Sequence, residues 1–201
     1  MRATRSVFLA CVISLVTSVA AMATPISYIH TGFGSGTLNG VAFGSLAPVA
    51  FTINATSDTS TVAVIPGAGW YNDNLSASIT IAGLGTYNFT TATRFFSNTL
   101  QGIVGFSRAG LNGTDLFNGP LLAGWNMTTS VGPIAGSGQL LQWLGPAVLT
   151  SGGQLIFNNG VSDSTFQAIV GTAAVPEPGT FALFGIGVAG LAARALRKRT
   201  V

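Results

Sequence analysis

Leu75, Ala77, Ile79 and Ile81 alternate with Ser76, Ser78 and Thr80. Apolar residues at every second position are buried together only in an extended chain, whose successive side chains point to opposite faces. The alternation resumes after Ala82-Gly83-Leu84-Gly85 in Thr86-Tyr87-Asn88-Phe89-Thr90, which predicts a hairpin over 75–93. Phe51, Ile53 and Ala55, interleaved with Thr52, Asn54 and Thr56, predict another strand. Asn39-Gly40 tolerates positive φ at both residues and predicts a tight turn between the Gly-rich segment ending at Leu38 and Val41-Ala42-Phe43. Further strands are expected at 103–107, 139–143, 155–158 and 165–170. Long loops are expected at 65–74 and 110–124, where Gly67, Gly69, Gly113 and Gly119 lie among polar residues. No amphipathic helix intervenes and no fixed-period repeat is present, so the expected fold class is all-β, an antiparallel β-sandwich-like domain.

The two ends differ from this middle. Arg2 and Arg5 precede an apolar stretch from Val7 to Val16, followed by the small-residue site Ala21-Met22-Ala23, the layout of a cleavable secretory signal helix. Cleavage is expected after Ala23, with Ala21 and Ala23 as the recognised small residues. Because the two arginines are not adjacent, the general secretion machinery is expected rather than a twin-arginine route. The single cysteine, Cys11, lies inside this leader. Residues 24–174 therefore form a cysteine-free exported domain without disulfides or thiolate metal ligands.

The chain carries a formal net charge of +3, but that basicity belongs to its ends. Between Thr24 and Val175 the charges are Arg94 and Arg108 against Asp58, Asp73, Asp115 and Asp163, so two minus four leaves −2. A domain so charged has no electrostatic footprint for a phosphate backbone, and nucleic acid is excluded as a partner.

From Val175 onward three zones follow in order. Val175-Pro176-Glu177-Pro178 is held extended by its prolines. An apolar stretch, Phe181 to Ala193, includes Phe181, Leu183, Phe184, Ile186, Val188 and Leu191 and is expected to form a single hydrophobic helix. Arg194, Arg197, Lys198 and Arg199 then form a basic cluster that stays cytoplasmic by the positive-inside rule. Thirteen apolar residues at about 1.5 Å each cover roughly 20 Å of a hydrocarbon core near 30 Å. Even with Arg194 snorkelling, the span is marginal, which suits a transient hold better than a permanent anchor.

In these residues the chain resembles the PEP-CTERM family of sorting tails, also called the ice-binding protein C-terminal domain. The likeness runs from Val175 to the end of the chain and is specific as an ordered set. It implies recognition by an exosortase in a Gram-negative envelope, with Pro176, Glu177 and Pro178 as recognition elements, transient inner-membrane anchoring through residues 175–201, and release to the cell surface or outside. Gly34 to Val41 and Val104 to Gly110 also look like segments of other passengers of such tails, a likeness that carries no activity.

Chemistry in the exported domain is sparse. Between Thr24 and Val175 there is no Glu, Lys or Cys and one histidine, His30, expected on a strand surface or edge. No nucleophile-elbow pattern joins His30 to a serine and Asp115, and no spacing pairs the four aspartates for glycoside hydrolysis. The expectation is therefore a domain without catalytic residues, metal or cofactor. Asn72-Asp73-Asn74 and Asn112-Gly113-Thr114-Asp115 have calcium-type oxygens but read better as turn caps. Five Asn-X-Ser/Thr sites, at Asn54, Asn74, Asn88, Asn112 and Asn126, are expected of so polar a composition. Trp70, Tyr71, Trp125 and Trp143 would stack on sugars if exposed, but aromatics of β-domains usually lie in the core. No regular Thr array for ice is visible. The function expected is a surface or biofilm-matrix protein associated with extracellular polysaccharide; the alternatives are a carbohydrate-binding module using Trp70 or Trp125, and a secreted hydrolase.

Overall fold

The computed structural model describes residues 24–110 and 114–172. Among them the protein is all-β, with antiparallel pairing throughout and one short 3-10 turn, Thr59–Thr61. The leader expected at 1–23 and the helix expected over Phe181 to Ala193 lie outside the described residues.

Strands β1 (Pro25–Gly34) and β4 (Val49–Asp58) pair over ten residues from Pro25↔Asp58 to Gly34↔Val49. The alternation in both is strict: Ile26, Tyr28 and His30 of β1 face Phe51, Ile53 and Ala55 of β4 on the buried side. Between them a small hairpin, β2 (Gly36–Leu38) and β3 (Val41–Phe43), turns through Asn39 and Gly40 at φ 49° and 80°. This is the expected turn, made by a residue pair for which positive φ is inexpensive. The predicted hairpin is β7 (Ser76–Ile81) with β8 (Gly85–Asn88). Ile79 and Ile81 are buried as the pattern required, whereas Leu75, just before the strand, is exposed.

The expected loops are strands instead. Residues 65–74 contain most of a hairpin of β5 (Ala63–Ile65) and β6 (Gly69–Asp73). Gly69, at φ 142°, sits so close to Ser97 that an added Cβ would lie 1.9 Å from its carbonyl oxygen. Here glycine marks backbone approach within a sheet, not a loop. Similarly, 110–124 contains β11 (Asp115–Leu121). The remaining strands are β9 (Thr93–Asn98), β10 (Ile103–Arg108), β12 (Val131–Leu140), β13 (Val148–Thr150), β14 (Gly153–Phe157) and β15 (Gly160–Val170). The strand expected at 139–143 thus begins earlier and ends at Leu140, leaving Trp143 beyond it.

Eleven strands form one sheet in the order β5-β6-β9-β10-β11-β12-β15-β1-β4-β7-β8. It folds over onto itself. Tyr28 of β1 and Phe95 of β9 pack with ring centroids 4.7 Å apart, although four strands separate them in the sheet. The fold-over lies where β11 and β12 share only two residue pairs, Phe117↔Leu140 and Asn118↔Gln139. Gly138 supplies the needed closeness there: a Cβ would stand 2.8 Å from Ser164 Cβ and 2.9 Å from Phe117 Cε2. The architecture is thus sandwich-like, with both leaves drawn from one continuous sheet. The second sheet, in the order β13-β14-β2-β3, closes one end of the core. Its Phe157 packs against Phe51 and Trp143 at centroid separations of 4.8 and 4.9 Å.

Asn72 of β6 fastens the folded sheet. Its Nδ2 donates to Tyr28 Oη and to the Asp58 carbonyl, both at 3.0 Å. Its Oδ1 accepts from Ser57 Oγ at 2.7 Å and Thr61 Oγ1 at 2.9 Å. All four hydrogen-bonding positions of a fully buried amide are satisfied, linking β6 to β1 and β4 across the fold. Asn72→Ala removes the amide and strands the buried Tyr28 hydroxyl, while the Ser57 hydroxyl keeps the Asp73 carbonyl at 2.7 Å. We expect a loss of about 1–3 kcal/mol in urea unfolding at unchanged m-value, the cost of one unsatisfied buried group.

Candidate functional site

The residue types that carry chemistry are scattered through this fold. His30, placed by the sequence on a strand surface or edge, stands in the middle of β1 and is fully buried. The reason is parity: His30 shares the inward face with Ile26 and Tyr28. Its ring stacks on Phe117 at 4.1 Å and lies edge-on to Phe166 at 5.7 Å. Nε2 is 3.0 Å from Ser164 Oγ, itself buried. Burial drives the imidazole pKa down to about 3, opposed by the nearby Gly119 backbone, although no well-aligned hydrogen bond reaches Nδ1. A neutral His beside a Ser has the elements of a nucleophile and base, but both are sealed in aromatic packing.

The aspartates are equally separate. Asp58 caps the 3-10 turn by accepting from the Ser60 amide at 2.7 Å, and hydrogen bonds from the Ser60 amide and hydroxyl hold its pKa down. Asp73 lies opposite Arg94 on β9, with Oδ1 2.9 Å from Nε, though the N–H is not aligned for a hydrogen bond. The Arg94 guanidinium covers the Tyr71 ring at 4.2 Å. Asp115 accepts from Asn118 Nδ2 at 2.9 Å, and partial burial raises its pKa. Among the described residues no three His, Cys, Asp or Glu groups come together to hold a metal ion. Asn72 has no lone pair left for a cation, because its Oδ1 is already doubly occupied.

Trp125 and Trp143 are core residues. Their indole N–H groups donate to the carbonyls of Thr129 at 3.0 Å and Leu116 at 2.7 Å. Trp125 is therefore withdrawn from any sugar, while Trp70 is half-buried against the core. Sequence gave no sign of Arg108, the one buried cation among the described residues. It is 2% exposed, its Nη2 donates to the Gln142 carbonyl at 3.1 Å, and burial lowers its pKa. Its position at the inward end of β10 could be found only from the sheet.

The surface feature with the most structure is the outer face of β1. Ser27, Ile29, Thr31 and Phe33 form its outward stripe. Two hollows lie along that stripe. One, of about 600 Å³, is lined by Ser27 and Ile29 with Asn54, Thr56, Ser76, Ser78 and Asn88 among others. The other, of about 360 Å³, is lined by Thr31, Phe33, Ala135, Gly136, Asp163, Ser164 and Thr165. Register also aligns Thr165, Thr31, Thr52, Thr80 and Thr86 in one row across five strands. The linear sequence concealed this row, because its members are distant along the chain. The neighbouring row, Ile29, Asn54, Ser78 and Asn88, is mixed, so no two-dimensional Thr lattice forms.

Comparison with known proteins locates the other functional region at the carboxyl end. Residues 174–198 match the family described as the PEP-CTERM protein-sorting motif. This chain carries a PEP-CTERM sorting motif. The motif indicates an exported protein that is sorted by an exosortase and membrane-anchored in transit. The matched segment includes Val175, Pro176, Glu177, Pro178, the apolar stretch, Arg194, Arg197 and Lys198, with Arg199 just beyond it. These residues, like Ala21 and Ala23, lie outside the described residues. No curated protein and no solved structure matched the chain.

The buried histidine makes the domain acid-sensitive. An unfolded chain protonates His30 near pH 6.5, whereas the folded domain resists until about pH 3. Between those values the unfolded state binds the extra proton, so stability rises with pH; it is complete above 6.5 and is lost as pH falls toward 3. The slope approaches about 1.4 kcal/mol per pH unit. Urea unfolding at pH 7.5, 5.5 and 4.5 should show this decline, and His30→Gln, which lacks the titrating group, should flatten it.

Proposed function

We propose that this PEP-CTERM protein is a non-enzymatic component of the bacterial cell surface or extracellular matrix, delivered by its tail and held by polysaccharide contacts. The observation that carries the reading is the sorting motif at 174–198, joined to a domain whose histidine, arginines and aspartates, Asp163 apart, are engaged in structure. His30 and Ser164 face the core, Asp58 caps a turn, Asp73 meets Arg94, and Asp115 holds Asn118. This arrangement supports a scaffold or binding role over hydrolysis, which needs a nucleophile or acid–base pair open to substrate.

In this reading the leader ends at Ala23, having directed the chain to general secretion. The apolar tail then holds the carboxyl end in the inner membrane. The basic cluster of Arg194, Arg197, Lys198 and Arg199 keeps the terminus cytoplasmic, and Pro176-Glu177-Pro178 is offered in extended form to the exosortase at the outer interface. The short apolar span favours surrender of the tail, because incomplete coverage of the bilayer core weakens anchoring.

Intact mass of the protein recovered from its own envelope should correspond to a chain beginning after Ala23 and lacking the hydrophobic tail. Glu177→Gln, or deletion of Arg197, Lys198 and Arg199, should leave a folded domain retained in the inner membrane. Normal delivery of both variants to the surface or medium would refute the sorting mechanism.

A further inference from the structure

We propose that the hollow beside Phe33 is a binding site for an uncharged polysaccharide, and that the β1 stripe extends it into a track. The inference rests on the matrix reading above and gives it a site. Phe33 is 49% exposed, whereas Phe51 and Phe157 beneath the same region are buried. Its ring emerges because its neighbours are small. Ala50 is its direct partner on β4, and Ala135 and Gly136 help line the hollow. An exposed aromatic among small residues offers a flat face to the C–H side of a sugar ring.

Polar groups converge on the same place. Asp163, exposed on β15, lines the hollow, and among the described residues no side chain takes up its carboxylate. Two carboxylate oxygens suit adjacent hydroxyls of a sugar. Thr31 and Thr165 hydrogen-bond each other through their hydroxyls, fixing both rotamers while leaving further acceptor capacity. The backbone below is also held: the Phe33 amide donates to Ser162 Oγ at 2.7 Å, and Ser162 Oγ donates to the Asp163 carbonyl at 2.7 Å. The aromatic platform and the acid thus sit on rigid strands, which lowers the ordering cost of binding.

Charge selects the class of ligand. The described residues include two cations: Arg108 is buried, and Arg94 lies against Asp73 and Tyr71 on β6. No cation lines either hollow, and the one charge there is the negative Asp163. An acidic polymer would meet repulsion without compensation, so a neutral one is favoured. Ser27, Ile29, Thr31 and Phe33 span six residues of rise, about 20 Å at 3.3 Å each, and connect the two hollows. A linear chain several sugars long can follow that stripe past the hydroxyl and amide groups of Asn54, Thr56, Ser76 and Ser78.

The test uses the full chain in mild detergent on an array of neutral and acidic polysaccharides. Retention on at least one neutral polysaccharide is expected. Phe33→Ala and Asp163→Asn should each weaken it at least tenfold, Phe33→Tyr should retain it, and Trp70→Ala, outside the hollow, should leave it unchanged. Circular dichroism would confirm that each variant is folded. Equal binding by wild type and Phe33→Ala, binding to acidic polysaccharides alone, or no binding at all would overturn the site. So would loss of self-association in Phe33→Ala, which would make a second copy the occupant. Fractionation of native cells separates this outcome from the parent reading: protein found in the matrix without neutral-glycan binding sinks the site alone, and absence from surface and matrix sinks the parent reading.

Discussion

The contact between Tyr28 and Asn72 joins parts of the sheet that strand pairing alone leaves apart. Six strands lie between β6 and β4 in the hydrogen-bonded order, yet the Asn72 amide bonds to β1 and β4 together. An open eleven-stranded sheet would leave one apolar face wet. Folding it over brings Tyr28, Phe95, Phe106 and Phe166 into one aromatic cluster and removes that face from water. The amide supplies direction to this otherwise non-directional attraction, because its four partners are satisfied in only one alignment of the leaves.

That same closure determines which chemistry is available. Inward-pointing positions of β1 and β15 hold His30 and Ser164, so the domain's only imidazole is spent on packing and on one internal hydrogen bond. Outward positions of the same strands hold Thr31, Phe33, Asp163 and Thr165, and these remain available to a partner. A shift of one residue in parity would exchange the two sets. The domain's polar face, with Asp163 as its one charge beside β1, and the sorting tail therefore draw on separate segments of the chain.

Local regularities made much of this legible. The hairpin of β7 and β8, the β4 strand and the Asn39-Gly40 turn follow from alternation and from backbone preference, both of which act over a few residues. Glycine misled where it signalled close approach: Gly69 sits against Ser97, and Gly119 lies within β11 (Asp115–Leu121) against Ser137. Trp125 and Trp143 followed the usual rule for aromatics in β-domains, whereas His30 was assigned to the wrong side because the residues that enclose it, Phe117, Ser164 and Phe166, are far along the chain.

Residue order alone established the all-β class, the near-absence of charge from the middle of the chain and the PEP-CTERM tail, since composition, period and a contiguous motif are properties of neighbours along the chain. The fold-over of the sheet, the burial of His30 and Arg108, the row of five threonines and the hollow shared by Phe33 and Asp163 depended on register between distant strands. Register is chosen when many weak contacts are satisfied together, and it therefore becomes visible only in three dimensions.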